Sequence, residues 1–308
     1  MCGDLRAHRR GGADVTIERI GFAYNPTNDA TIELAARAAG WCRVRGIGQW
    51  QAQSGDLDRL RTELPTTDAL VVLGGDGTFL RAARAVAEVD VPLLGINLGK
   101  VGFLSKAEQG DLEPVLERIV EGDFTIDERM IIEGRILRGE GSPAGVAEGK
   151  GEGDGGGDER HFALNDVVIA RGSLARVCRL DVSIDDTHLA TFIADGLVVA
   201  SPTGSTGYSF SAGGPILEPV SRNLVVTPIA AYLSAFRSVV VSPSQVVRCR
   251  VVDAHEALVS IDGREDLAIA VGDTVEVRAV DRPIRLIEPT GSLSFWDLLR
   301  HKIELLPS

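Results

Sequence analysis

The sequence predicts two domains of different class: a Rossmann-like three-layer α/β domain at the N-terminus, then a β-rich, sandwich-like domain. Three observations predict it. Up to about residue 123, apolar strand patterns alternate with helical ones, the signature of a parallel sheet covered on both faces. Beyond that point strand patterns follow one another with little helix between them. A chain of 308 residues also has the length for two cores of ordinary size. The expected divisions are a disordered terminus over 1–14, the α/β domain over 15–123 and the β-rich domain over 124–288. A terminal helix within 289–308 is expected to pack back on the N-terminal domain.

Residues up to about Asp14 are polar, arginine-rich and aperiodic, so order is expected to begin near Val15. Ile17–Tyr24 reads as the first strand, Asn25–Asn28 as a turn, and Ala30–Gly40 as an alanine-rich helix with a glycine stop. Ala69–Leu73 is a buried strand running into a glycine turn, and Phe79–Ala87 a helix that Thr78 is placed to cap. Val91–Asn97 is a further strand and Leu112–Glu121 a short helix. The β-rich half has strand candidates at Phe124–Glu128, Met130–Leu137, Phe162–Ala170, Arg179–Ile184 and Thr191–Ala200. More follow at Val239–Val241, Val246–Val252, Ala257–Ile261, Thr274–Ala279 and Ile284–Glu288. Leu293–Leu305 closes the chain as an amphipathic helix with Leu298, Leu299 and Ile303 on one side. Between strands, Gly139–Arg160 is dominated by glycine and acids; it buries almost nothing and repels itself, which predicts a disordered hairpin extension. It lacks the spacing and closing glutamate of a calcium loop.

A net charge of −12 and a pI near 5.0 argue against nucleic acid as a partner, because phosphate backbones would be repelled. Lysine occurs only at Lys100, Lys106, Lys150 and Lys302. The balance fits a salt-adapted host or a GC-rich genome. No apolar run approaches bilayer length and the start carries no apolar signal core, so a cytoplasmic protein without membrane partners is expected. Cys2, Cys42, Cys178 and Cys249 form no CxxC pair, which leaves reduced, mostly buried thiols and no structural zinc site. Five scattered histidines and the lack of a Gly-x-Ser-x-Gly elbow exclude a serine hydrolase triad.

The most informative stretch is Gly74-Gly75-Asp76-Gly77-Thr78 at the end of the Ala69–Leu73 strand. Glycines let the backbone come close, so turn and helix amides can converge on phosphate oxygens. An aspartate there would be repelled by the phosphate unless its own chemistry or a metal compensated, which marks Asp76 as a candidate base. The second unusual stretch is Asp195–Ile216, where a strand headed by an acid enters a run of small hydroxyl residues and glycines. Hydroxyls at that density offer donors and acceptors to sugar and phosphate oxygens.

Taken in order, Gly74–Thr78, Gly95–Leu104, Leu164–Val168 and Asp195–Ile216 resemble the motifs of the NAD kinase family, in an archaeal-like member. Thr227-Pro228-Ile229, Ser260–Gly263 and Phe295–Arg300 fall where that family has its later motifs. Any one of these is weak alone, but the order is specific. The resemblance implies transfer of a phosphoryl group from ATP, or in some members polyphosphate, to the 2′-hydroxyl of the adenosine ribose of NAD. A divalent metal, expected to be magnesium on the ATP phosphates, and a homo-oligomeric assembly, dimer or tetramer, are implied as well. It assigns Asp76 as proton acceptor and Gly74, Gly75, Gly77 and Thr78 to the donor phosphates. The NAD contacts implied are Asp76, Gly77, Arg81, Asn165, Asp166, Arg176, Asp195, Thr206, Gly207, Tyr208, Ser209, Phe210 and Ser211. No protein residue is assigned as a metal ligand. Of these, Arg81 is also readable as a solvent-facing helix residue.

The chain departs from the family pattern at Ser201, Gly207, Ala230-Ala231-Tyr232, Ser238, Ile193 and Arg264. These changes leave the chemistry standing and touch ligand-loop detail and subunit contacts. A lipid kinase of the diacylglycerol or sphingosine type would share the glycine-aspartate turn without the hydroxyl-rich loop. A non-catalytic nucleotide sensor would keep both stretches and lose Asp76.

Overall fold

The computed structural model describes residues 17–99, 102–139, 159–173, 176–232 and 237–304. The expectations for 1–14 and for nearly all of the Gly139–Arg160 insertion therefore lie outside the described residues. In chain order the elements are β1 (Arg19–Tyr24), α1 (Asp29–Val44), β2 (Gly48–Gln53), α2 (Leu57–Glu63), β3 (Ala69–Leu73), α3 (Asp76–Val86), β4 (Leu93–Asn97), β5 (Ala107–Glu108) and α4 (Leu112–Val120). They continue with β6 (Phe124–Leu137), β7 (Glu159–Ala163), β8 (Asp166–Arg171), β9 (Cys178–Ile184), β10 (Thr187–Ala194), β11 (Gly196–Ala200), α5 (Tyr208–Ser211) and β12 (Leu224–Ile229). The last are β13 (Val239–Val241), β14 (Val247–Asp253), β15 (Ala257–Ile261), β16 (Glu265–Ile269), β17 (Thr274–Pro289) and α6 (Phe295–Glu304). The chain divides into two compact units, one of residues 1–129 with 284–308 and one of residues 130–283.

In the first unit β2, β1, β3 and β4 lie side by side and parallel, with the end of β17 joining β4 at Leu286↔Leu93. Every residue of β3 is buried, as a central strand covered on both faces requires. Phe22, Val71, Leu73, Leu94 and Ile96 pack on one face with Leu34, Ala35, Ala38 and Trp41 of α1 and Leu112, Leu116 and Ile119 of α4. The opposite face carries α3, whose Phe79 ring approaches Gly95 of β4 so closely that an added Cβ would sit 3.0 Å from it. That makes the three layers.

The second unit is antiparallel. One sheet runs β13-β12-β11-β8-β15-β16. The other contains β10-β9-β14 and the first part of β17. Val167, Ile169, Leu197, Val199 and Val259 of the first share one core with Leu180, Val182, Cys249, Val251, Val275 and Val277 of the second, giving the sandwich. β6 and β7 pair antiparallel on either side of the insertion, from Ile132↔Ala163 to Ile136↔Glu159. Cys42, Cys178 and Cys249 are buried free thiols. Among the described residues no helix is long and apolar enough to cross a membrane.

Several element expectations change. β2 and α2 were not anticipated, nor were β12 and β16. The expected Phe162–Ala170 strand is two strands that break at Leu164-Asn165, and Thr191–Ala200 breaks at Asp195. Conversely, β6 and β17 each run unbroken through what read as two strands. Thr78 does not cap its helix: α3 starts at Asp76, its N-cap is Gly75, and no side chain caps it.

Candidate active site

The glycine turn is shaped by β3 and α3 together. Gly74 takes φ +147°, and a Cβ there would fall 2.7 Å from Thr78 Oγ1, so only glycine fits without strain. Its N–H donates to Ile96 O at 2.9 Å, which ties the turn to β4. Gly75 O then accepts from Thr78 N at 2.8 Å and Phe79 N at 3.1 Å, closing the first turn of α3. With no side-chain cap, this helix end presents its partial positive charge to whatever anion lies beyond β3.

Asp76 is the first residue of α3. Its side chain is open to solvent on one side and crowded on the other, where a Cβ built on Gly102 would lie 2.7 Å from its Oδ1. This partial loss of water raises the carboxyl above the ordinary aspartate range, and the nearby Lys302 ammonium of α6 offsets part of the rise. A carboxylate with raised proton affinity is a better base near neutral pH.

Arg81 does not face solvent as an idle helix residue. Its Nε donates to Ser54 Oγ at 2.9 Å and its Nη2 to Thr78 Oγ1 at 3.3 Å, bracing α3 against the end of β2. Burial lowers its pKa from the usual value; arginine stays charged at any working pH nonetheless. Thr78 is itself buried, so its hydroxyl belongs to this brace.

In the second unit, Asn165 and Asp166 sit at the break between β7 and β8. Asp262, at the tip of the β15–β16 hairpin, holds that break: its Oδ2 accepts from Leu164 N at 3.0 Å, and its Oδ1 from Asn165 N at 2.8 Å and Asp166 N at 3.2 Å. Both Asp166 and Asp262 are shut from water. Burial first, and then the charge of Asp262, push Asp166 up to about 7. Asn165 O accepts from Ser201 N at 2.8 Å. A Cβ on Gly204 would lie 2.1 Å from that same oxygen, so the hydroxyl-rich loop is seated directly on the Asn165 backbone.

Beyond a short 3-10 turn at Gly204–Thr206, α5 turns Tyr208, Phe210 and Ser211 outward. Ser209 points the other way; it is fully buried, with its Oγ 3.2 Å from Thr227 Oγ1. Asp195 follows β10, and its carboxylate is gripped by Arg171, with Nε 2.8 Å from Oδ1 and Nη2 3.2 Å from Oδ2. Arg176 is exposed just before β9. Thus Asp76, Gly77, Arg81 and the turn glycines assemble in the first unit, and Asn165, Asp166 and the Thr206–Ser211 loop in the second.

Sequence reasoning missed Arg171, Asp262 and Lys302. Arg171 ends β8 and is matched to Asp195 through the β8–β11 pairing of Ala170 with Gly196, a register no single sequence displays. Asp262 stood inside a quoted motif with no role. Lys302 carried one signal, as one of only four lysines in the chain.

Comparison with known proteins agrees along most of the chain. Residues 15–124 match the ATP-NAD kinase N-terminal domain and residues 164–289 the ATP-NAD kinase C-terminal domain. An NAD kinase of Heliobacterium modesticaldum is 39% identical over 293 residues, covering 92% of this chain and 98% of that protein. An NAD kinase of Syntrophotalea carbinolica is 37% identical over 296 residues, covering 93% and 98%. In fold, the chain is similar to yeast NADH kinase complexed with NADH (TM-score 0.75, 24% identity, 94% of this chain and 87% of that one). It is also similar to an NAD kinase from Archaeoglobus fulgidus in complex with ATP (TM-score 0.68, 24% identity, 88% and 94%). With both domain models matched in order and relatives of this identity aligned nearly end to end, the chain belongs to the NAD kinase family of phosphotransferases.

Proposed function

We propose that the chain transfers the γ-phosphoryl group of ATP to the 2′-hydroxyl of the adenosine ribose of NAD, yielding NADP. The observation that carries the mechanism is Asp76, an acid of raised proton affinity at the uncapped start of α3. Its carboxylate orients the ribose hydroxyl and accepts its proton as the oxygen–phosphorus bond forms, while the bond from the γ-phosphorus to the bridging oxygen of ADP breaks. Gly74, Gly75, Gly77 and the helix start face the donor phosphates, whose charge the helix end balances. Thr78 and Arg81 hold that turn in shape.

Among the described residues no cluster of three or more His, Cys, Asp or Glu is arranged to hold a metal ion. A magnesium ion carried on the ATP phosphates would supply charge neutralisation at the donor. On the acceptor side, the Asn165 amide and the Asp166 carboxyl suit ribose hydroxyls or the nicotinamide amide. Arg176 suits the pyrophosphate. Tyr208, Phe210 and Ser211 offer the outward face of the loop, and Ser209 seats it through Thr227. Asp195, oriented by Arg171, keeps outer lone pairs for the dinucleotide. A homo-oligomer in the cytoplasm completes the reading.

Incubation of pure protein with ATP, magnesium and NAD should form NADP, and polyphosphate in place of ATP reports the donor. Asp76→Asn should cut turnover by roughly 10²–10⁴-fold, the usual weight of a general base, with NAD still bound. Full turnover in that variant would remove Asp76 from its role. Phosphorylation of diacylglycerol or sphingosine instead of NAD would favour the lipid-kinase reading.

A further inference from the structure

The terminal helix carries a cation to the segment that crowds Asp76, the proposed base. α6 begins after Ser294, whose Oγ accepts from Asp297 N at 3.2 Å and fixes its start. From there Phe295, Leu298, Leu299 and Lys302 recur at helical spacing and share one face. Phe295 packs on Phe103, ring centroids 5.7 Å apart, and Leu298 is buried. Two turns on, Lys302 Nζ lies 4.6 Å from the centroid of the same Phe103 ring. Phe103 follows Gly102 in the chain, and Gly102 is the residue pressed against the Asp76 carboxylate. The apolar stripe of α6 therefore ends in an ammonium beside the segment that crowds Asp76.

Among the described residues, Lys302 is the one charged group that acts on Asp76. Arg81, on the helix of Asp76, is turned to Ser54 and Thr78, and its guanidinium is committed there. On α6 itself the groups flanking Lys302 are His301 and Glu304.

Resting on the proposed reaction, we propose that Lys302 is the electrostatic partner of Asp76: a positioning residue that keeps the carboxylate ionised against its loss of water and makes α6 part of the phosphoryl-transfer site. Lys302 touches neither donor nor acceptor in this assignment; it acts through Asp76. The Phe103 ring, held between Phe295 and the Lys302 ammonium, sets where the charge stands.

The test uses the full chain. Lys302 is exposed, so Lys302→Met is expected to fold as the wild type does. The dependence of kcat/KM for NAD on pH should show an acid limb, and Lys302→Met should move that limb to higher pH. Activity at the alkaline plateau should be largely kept, and Lys302→Arg should restore the limb. An acid limb unmoved in Lys302→Met would overturn the proposal, as would a plateau loss without a shift. Carbon-13 NMR titration of the Asp76 carboxyl in wild type and Lys302→Met reads the same partnership without turnover. The carboxyl should titrate at higher pH in the variant, and identical titrations would refute it. Because the titration needs no substrate, its result stays separate from whether the wild type forms NADP. Phe295→Ala, which loosens the ring seat and leaves the charge in place, should shift the titration in the same direction by less.

Discussion

Asp166 and Asp262 are two carboxylates shut away from water beside one another, and only one of them is paid in hydrogen bonds from the backbone. Asp262 accepts from three amides, whereas burial and the neighbouring Asp262 charge push Asp166 up to about 7. Its folded value lies above the unfolded one, so its contribution to stability is fully present below about pH 4 and is lost as pH rises through about 7. Asp166→Asn should therefore flatten the fall in the urea midpoint between about pH 4 and pH 7. Asp262→Ala should destabilise at every pH, by at least about 3 kcal/mol, because it strands buried amides. The same residues show what a sequence conceals. Asn165-Asp166 was singled out by the family resemblance alone, yet its brace comes from a hairpin far along the chain. Asp195 was legible as the acid heading a strand; Arg171, which grips it, became visible only through strand pairing.

Elements were legible where one period ruled. The apolar strand Ala69–Leu73 and the glycine turn after it were read correctly, because a fully buried strand and a backbone approach leave plain residue signatures. β2 escaped because Gly48-Gln49-Trp50-Gln51-Ala52-Gln53 buries only Trp50 and Ala52, a pattern too polar to stand out. β6 and β17 were split because charged residues near their middles read as turns; in β17 Asp281 and Arg282 are exposed, while in β6 Arg129 is buried and paired with Asp127. α3 was started too late, since a capping threonine was expected where a glycine cap leaves the helix end bare. That bare end gives a prediction at this scale. Gly74→Ala forces a Cβ onto Thr78 at an unfavourable φ, which should cost roughly 1–3 kcal/mol in a thermal melt. It should also raise the apparent KM for ATP more than that for NAD. An unchanged melting temperature would show that the turn relaxes freely.

For the whole molecule, the excess of acid is the feature that composition alone foretold. A net charge of −12 on 308 residues implies self-repulsion that salt screens. The thermal midpoint should climb as sodium chloride rises from millimolar to molar, and full stability in dilute buffer would argue against a salt-adapted host. The two fold classes were legible because alternation of helix and strand gives way to strand after strand near Phe124. The first unit is made of two separate stretches of chain, 1–129 and 284–308, with the continuous second one, 130–283, between them in sequence.

That interrupted layout governs the order in which a ribosome can deliver working parts. Residues 130–283 emerge as one uninterrupted piece, whereas the strand end that joins β4 and the helix bearing Lys302 come after them. A chain cut short ahead of Lys302 would hold the glycine turn and Asp76, yet lack the cation proposed to keep that carboxylate charged.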